Sequence, residues 1–115
     1  MTPELTAVRD QIVFARSYTL RLLDTIPEAD WFAMPSGVTH VGWQVGHLAM
    51  AEYRTCLERV RGVRPADEEV IPATFLAKFV RDTVPDPDPA TYPPPTELRA
   101  TLDRVHEQVL AELPT

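Results

Sequence analysis

Three histidines carry most of the chemistry this chain could perform near neutral pH, because imidazole titrates there and binds metals through a neutral nitrogen. His47 stands out. It lies inside a helical pattern, with Trp43 one turn before it and Met50 one turn after, and Arg54 and Glu58 further along the same side. An imidazole with an apolar rim suits a metal ligand, and it equally suits a half-buried histidine hydrogen-bonded to a neighbour. His40 precedes it by two turns, about 11 Å along a helix axis, too far to share one ion. His40 is therefore expected to cap the helix or sit at its mouth. His106 falls in a separate apolar stripe, between Leu102 and Val109, and is expected to face the interior. No H-x-x-x-H, H-E-x-x-H or E-x-x-H pair occurs, so no helix brings two ligands together by itself.

The remaining candidates are weaker. Glu52 projects from the apolar side of the same helix and needs a cation, with Arg16 or Arg21 as the expected partner. A helix-fixing ion pair and an acid–base or supporting role both fit it. Cys56 has nothing beside it in sequence to lower its pKa and reads as an inert core thiol. Asp67-Glu68-Glu69 reads as a solvated acidic run, and glycine-rich phosphate loops are absent.

Helices must position these groups. Leu5, Val8, Ile12, Ala15, Thr19, Leu22 and Ile26 alternate by three and four, which predicts a first helix over Pro3–Asp24 with Thr2 as its cap and Pro27 as its stop. A connection through Trp31, Phe32 and Met34 is expected to be pinned across one end of the core. The second helix is predicted from Thr39 or His40 to just before Gly62. Val41, Val45, Leu48, Ala49, Cys56 and Val60 cover one side of it, extended by Trp43, Met50, Tyr53 and Leu57, an arc wide enough for two neighbours. Gly42 and Gly46 lie one turn apart and open a row for close packing. A short helix is predicted around Phe75, Leu76, Phe79 and Val80. Six prolines in the eleven residues from Pro85 to Pro95 then make a stiff crossover strap, with a ligand for a partner domain as the lesser alternative. Leu98, Leu102, Val105, Val109 and Leu113 mark a third helix from about Thr96 to at least Glu112, which the long strap allows to run parallel to the second. The fold class is all-α, in a single domain.

Composition narrows the function classes. With 115 residues there is room for one domain. Eleven basic against seventeen acidic residues give a net charge of −6, which argues against nucleic-acid and polybasic membrane partners. One cysteine rules out an internal disulfide framework and a cysteine-based zinc cluster. The uncharged run from Trp31 to Ala51 is broken by Pro35, Gly37, His40 and His47, so it fails as a bilayer segment. No signal-like stretch opens the chain, and a cytoplasmic location is expected.

The stretch His40-Val41-Gly42-Trp43-Gln44-Val45-Gly46-His47-Leu48-Ala49-Met50-Ala51-Glu52 resembles the second-helix signature of the DinB/YfiT-like superfamily. The segment from Leu22 through Pro27 to Trp31 is similar to that family's opening, and Tyr92 to Leu113 to its third helix. The resemblance implies an up-down-down-up four-helix bundle with a long crossover between helices two and three. It implies a divalent metal (nickel, zinc or iron) held by three histidines, one matching His47 and two from an H-x-x-x-H pair on a fourth helix. Three long helices and a short crossover helix are accounted for here. The domain, 1–115, is accordingly expected to be incomplete at its C-terminal end and inactive by itself. The activities implied are metal-dependent thiol S-transfer, isomerisation or hydrolysis, with a small-molecule thiol or electrophile as substrate. Two other readings stand beside this one: a non-catalytic helical module that pairs as a homodimer over its exposed apolar arc, and a composite site completed by His106 or by a histidine of another chain.

Overall fold

The proline and glycine punctuation sets where the helices begin and end. A computed structural model describes residues 2–113, so Pro114 and Thr115 lie outside the described residues. Helix α1 spans Pro3–Asp24, with the Thr2 hydroxyl accepting from the Leu5 amide and proline in the first turn. Helix α2 spans Val41–Tyr53 and continues without a break through a π turn, Arg54–Glu58, and a last turn, Arg59–Arg61. Gly62 follows with φ of 83°, a conformation that favours glycine. Two short helices, α3 (Asp67–Val70) and α4 (Ala73–Phe79), precede the proline strap, and α5 spans Pro95–Glu112. No strand occurs among the described residues. No described helix is long and apolar enough to cross a membrane.

The pairings between helices fix the topology. Glu52 meets His106 and Arg61 meets Glu112, so α5 runs parallel to α2. Asp24 meets Arg99 and Arg16 reaches the Leu102 carbonyl, so α1 runs antiparallel to both. The three long helices thus run up, down and down, an order made possible by the long crossover. Val45, Ala49, Tyr53 and Leu57 of α2 form the core with Leu98, Leu102, Val105 and Val109 of α5, all buried.

The connection before α2 is pinned as its aromatics suggest. Trp31 is buried, its indole N–H donates to the Ile26 carbonyl at 3.3 Å, and its own carbonyl accepts from the Gly42 amide at 2.8 Å. His40 caps α2: its Nδ1 accepts from the Trp43 amide at 2.9 Å, while its Nε2–H donates to the Asp86 carbonyl at 2.8 Å. The imidazole thereby ties the proline strap to the start of α2. Tyr92 completes the tie, stacking on Phe32 and Phe79 and accepting from the Asp86 amide at 2.7 Å.

Three sequence expectations are corrected here. In α1, Val8, Ala15 and Leu22 are exposed, and only Leu23 is buried. The helix is turned so that Arg16 points inward, where Nη2 meets Glu52 Oε1 at 3.0 Å and Nη1 donates to the Leu102 carbonyl at 3.3 Å. Leu48 and Val60 are also exposed. Leu48 lies at the edge of the apolar arc. Val60 follows the π turn, whose extra residue rotates it outward and carries Arg61 in. Third, the acidic run is not uniformly solvated, because Asp67 is buried beneath Arg61.

Arg61 forks both ways. It holds Asp67 through Nη1 and Nη2 at 2.7 and 2.9 Å, and Glu112 through Nε and Nη2 at 2.9 and 3.0 Å. The Tyr53 hydroxyl and the Arg64 amide also donate to Asp67, and Gln108 donates to Glu112. The guanidinium holds the Asp67 carboxyl well below the usual carboxylate range, and Glu112 at about 2 with help from Gln108. Burial, together with the neighbouring Asp67, pushes the Tyr53 hydroxyl up to about 12.

Two outcomes follow for denaturant unfolding. Carboxyls held low in the folded state stabilise it above their ordinary range, and that contribution disappears as pH falls through their folded values. Stability is expected to drop from about pH 4 downward, and Arg61→Ala to cost about 3–5 kcal/mol at neutral pH by removing the cation shared by buried Asp67 and part-buried Glu112. Separately, a Cβ at Gly46 overlaps the buried Phe79 ring, whereas one at Gly42 meets only the half-buried Phe32. Gly46→Ala is expected to destabilise by about 1–3 kcal/mol despite alanine's better helix propensity, and Gly42→Ala by less.

Candidate functional site

His47 lies on α2 at the border between its buried and exposed faces, and its surroundings decide its proton. Gly46, the preceding residue, has no side chain, so the Phe79 ring packs directly on the helix. That contact brings the last residue of α4 against α2. The Phe79 carbonyl stands at the C-terminal end of α4, where carbonyls lack partners within the helix. His47 Nδ1 lies 2.8 Å from it. A carbonyl only accepts, so Nδ1 carries the hydrogen and Nε2 keeps its lone pair.

The ring is also fixed in plane. Trp43 stacks on it with centroids 4.7 Å apart and planes 11° from parallel. The Trp43 indole N–H donates to Thr83 Oγ1 at 3.1 Å, and that hydroxyl donates to the Val80 carbonyl at 2.8 Å. Two residues of α2 are thus clamped against the end of α4 and the turn that follows it. Nε2 has no hydrogen-bond partner among the described residues, and it is not sealed from solvent. A histidine whose other N–H is held by a backbone carbonyl is the arrangement in which imidazoles ligate metals.

The other candidates lie elsewhere. Glu52 is five residues beyond His47, about 140° around the helix, and faces α1 and α5. It takes Arg16 as its partner; Arg21 instead stacks over Tyr18 on the outer side of α1, at 5.9 Å. His106 Nδ1 contacts Glu52 Oε2 at 3.3 Å, so His106 belongs to this inner cluster and not to the surroundings of His47. His40 is buried, with both ring nitrogens engaged. Cys56 lies in the π turn, where burial, and secondarily Glu52, push its thiol up, consistent with an inert group. Arg54 and Glu58 pair with each other at 3.5 Å on the outer face.

The residues therefore meet a metal only in part. His47 offers one nitrogen in the correct protonation state. Among the described residues no group of three His, Cys, Asp or Glu side chains is placed to hold an ion. The Phe79 carbonyl and the Trp43–Thr83 clamp escaped sequence reasoning, since a backbone oxygen has no sequence signature and α4 is short.

The model of the DinB superfamily matches residues 11–115. The chain belongs to the DinB superfamily. Its all-α architecture with a long crossover agrees with that membership. No curated protein and no solved structure matches the chain.

The two hydrogen-bonded histidines of α2 are expected to hold opposite neutral tautomers. Long-range 15N–1H correlation spectra should show His47 protonated at Nδ1 and His40 at Nε2. Nε2 protonation of neutral His47 would contradict the geometry.

Proposed function

We propose that His47 is one ligand of a divalent metal centre, and that this DinB-superfamily protein is a metal-dependent enzyme of the thiol S-transferase or hydrolase kind. One observation carries the reading: the Phe79 carbonyl accepts a hydrogen bond from Nδ1–H, which leaves a solvent-reaching Nε2 lone pair at a rotationally fixed position. Nickel, zinc or iron all accept imidazole nitrogen. Among the described residues no group of three His, Cys, Asp or Glu side chains is placed to hold the ion, so His47 would need further donors to complete the site.

A bound divalent ion with open positions would hold a small thiol as thiolate at neutral pH. The chain's own residues would contribute orientation. Trp43 covers one face of the imidazole and limits its approach directions, and the Phe79 carbonyl strengthens the ring as a donor. The acid–base candidates Glu52 and His106 are committed to each other and to Arg16, and take no part at this position.

Metal content of the purified full-length protein tests the reading, with nickel, zinc and iron each offered after chelation. Wild type and His106→Ala are expected to bind alike. His47→Ala is expected to lose at least tenfold in affinity, on the order of 1.4 kcal/mol or more. Equal binding by His47→Ala and wild type would remove His47 from the site.

A further inference from the structure

We propose that Tyr92, carried by the proline strap, is a positioning residue that sets the proton of His47 by acting through Phe79. The effect on metal binding rests on the reading of His47 as a ligand; the effect on its proton does not. Helix α4 has seven residues, too few to hold its own shape in water. The place of its last carbonyl is therefore decided by what grips the Phe79 side chain. That ring is fully buried and meets the bare backbone of Gly46, the Phe75 ring of its own helix, and the Tyr92 ring. Gly46 and Tyr92 act on it from outside α4. Tyr92 stacks with centroids 5.6 Å apart and planes 23° from parallel, within the range in which aromatic pairs attract.

Tyr92 is itself held on several sides. Phe32 stacks on it at 5.7 Å with planes 5° from parallel, and the His40 ring stands edge-on at 5.2 Å. Its hydroxyl accepts from the Asp86 amide at 2.7 Å, and the Asp86 carbonyl accepts from His40 Nε2–H at 2.8 Å. Both main-chain groups of Asp86 are thus tied, one to Tyr92 and one to the cap of α2. The chain of contacts leaves α2 at His40, passes through the strap to Tyr92 and Phe79, and returns to α2 at His47. The last link has little slack. The bond from His47 Nδ1 is 2.8 Å long, and lengthened by about 0.8 Å it would no longer be a hydrogen bond. A small displacement of Phe79 therefore frees the imidazole to exchange tautomers. The ring of Tyr92, and not its hydroxyl, is the part that touches Phe79.

Long-range 15N–1H correlation spectra of the full-length protein with neutral imidazoles, read beside zinc affinity, test the proposal; circular dichroism confirms that each variant folds. Tyr92→Leu keeps apolar bulk and removes the stacking plane. It is expected to shift His47 from Nδ1–H toward Nε2–H and to weaken zinc binding about tenfold. Tyr92→Phe keeps the ring and is expected to retain the wild-type tautomer and affinity. Val109→Ala opens a cavity toward the C-terminal end of the α2–α5 seam, which lowers stability, and is expected to leave His47 unchanged. Phe32→Leu removes the other ring stacked on Tyr92, is expected to move the tautomer the same way, and decides the matter if Tyr92→Leu does not fold. A folded Tyr92→Leu with the wild-type tautomer would overturn the proposal, as would an equal shift in Tyr92→Phe or Val109→Ala. Zinc binding indifferent to His47→Ala would defeat the metal reading alone, because the tautomer still answers for Tyr92.

Discussion

The contact between Gly46 and the Phe79 ring is the constraint on which the candidate site depends. A side chain at position 46 would lift α4 from α2, and with it the carbonyl that accepts from His47 Nδ1–H. Close backbone approach thereby becomes protonation state, and protonation state becomes a donor nitrogen. Trp43 and Thr83 reinforce the same geometry from the other side of the ring. The imidazole is held in one orientation, which in the proposed role would lower the ordering cost of binding a metal.

A different logic holds the three long helices. Helices α2 and α5 share an apolar seam, but α1 buries one residue and is attached through charges: Arg16 to Glu52 and the Leu102 carbonyl at its centre, Asp24 to Arg99 at its end. At the opposite end of the α2–α5 pair, the π turn brings Arg61 inward to close on Asp67 and Glu112. Polar ties of this kind specify register more than they add stability, because desolvation offsets much of the Coulomb attraction. The exposure of Val8 and Leu22 on α1 is a consequence of that choice.

Much of this was legible in the sequence. Proline and glycine punctuation marked the limits of α1, α2 and α5 to within a residue or two, and the proline strap implied the parallel third helix. The Gly42–Gly46 row announced a close approach, and Glu52 on an apolar face announced a buried cation. What stayed hidden had physical reasons. Periodicity cannot locate a π turn, so Val60 was placed on the wrong face. An inward arginine at position 16 turns the helix, so of the predicted stripe in α1 Leu5, Ile12, Thr19 and Ile26 are half-buried while Val8, Ala15 and Leu22 are exposed. Asp67 looked like one of three solvated acids, because its side-chain partners, Arg61 and Tyr53, are 6 and 14 residues away. The His47 environment was readable as far as Trp43, one turn away, and no further, since its decisive partner is a main-chain oxygen 32 residues on.

The central claim is that Nε2 of His47 is the atom prepared for a metal. A crystal structure of the full-length protein grown with zinc, with anomalous data at the zinc edge, tests it most directly. The account predicts an anomalous peak about 2.0–2.1 Å from His47 Nε2, with Nδ1 still bonded to the Phe79 carbonyl. Zinc bound at His47 Nδ1, or ordered zinc elsewhere with the His47 ring left free, would contradict it.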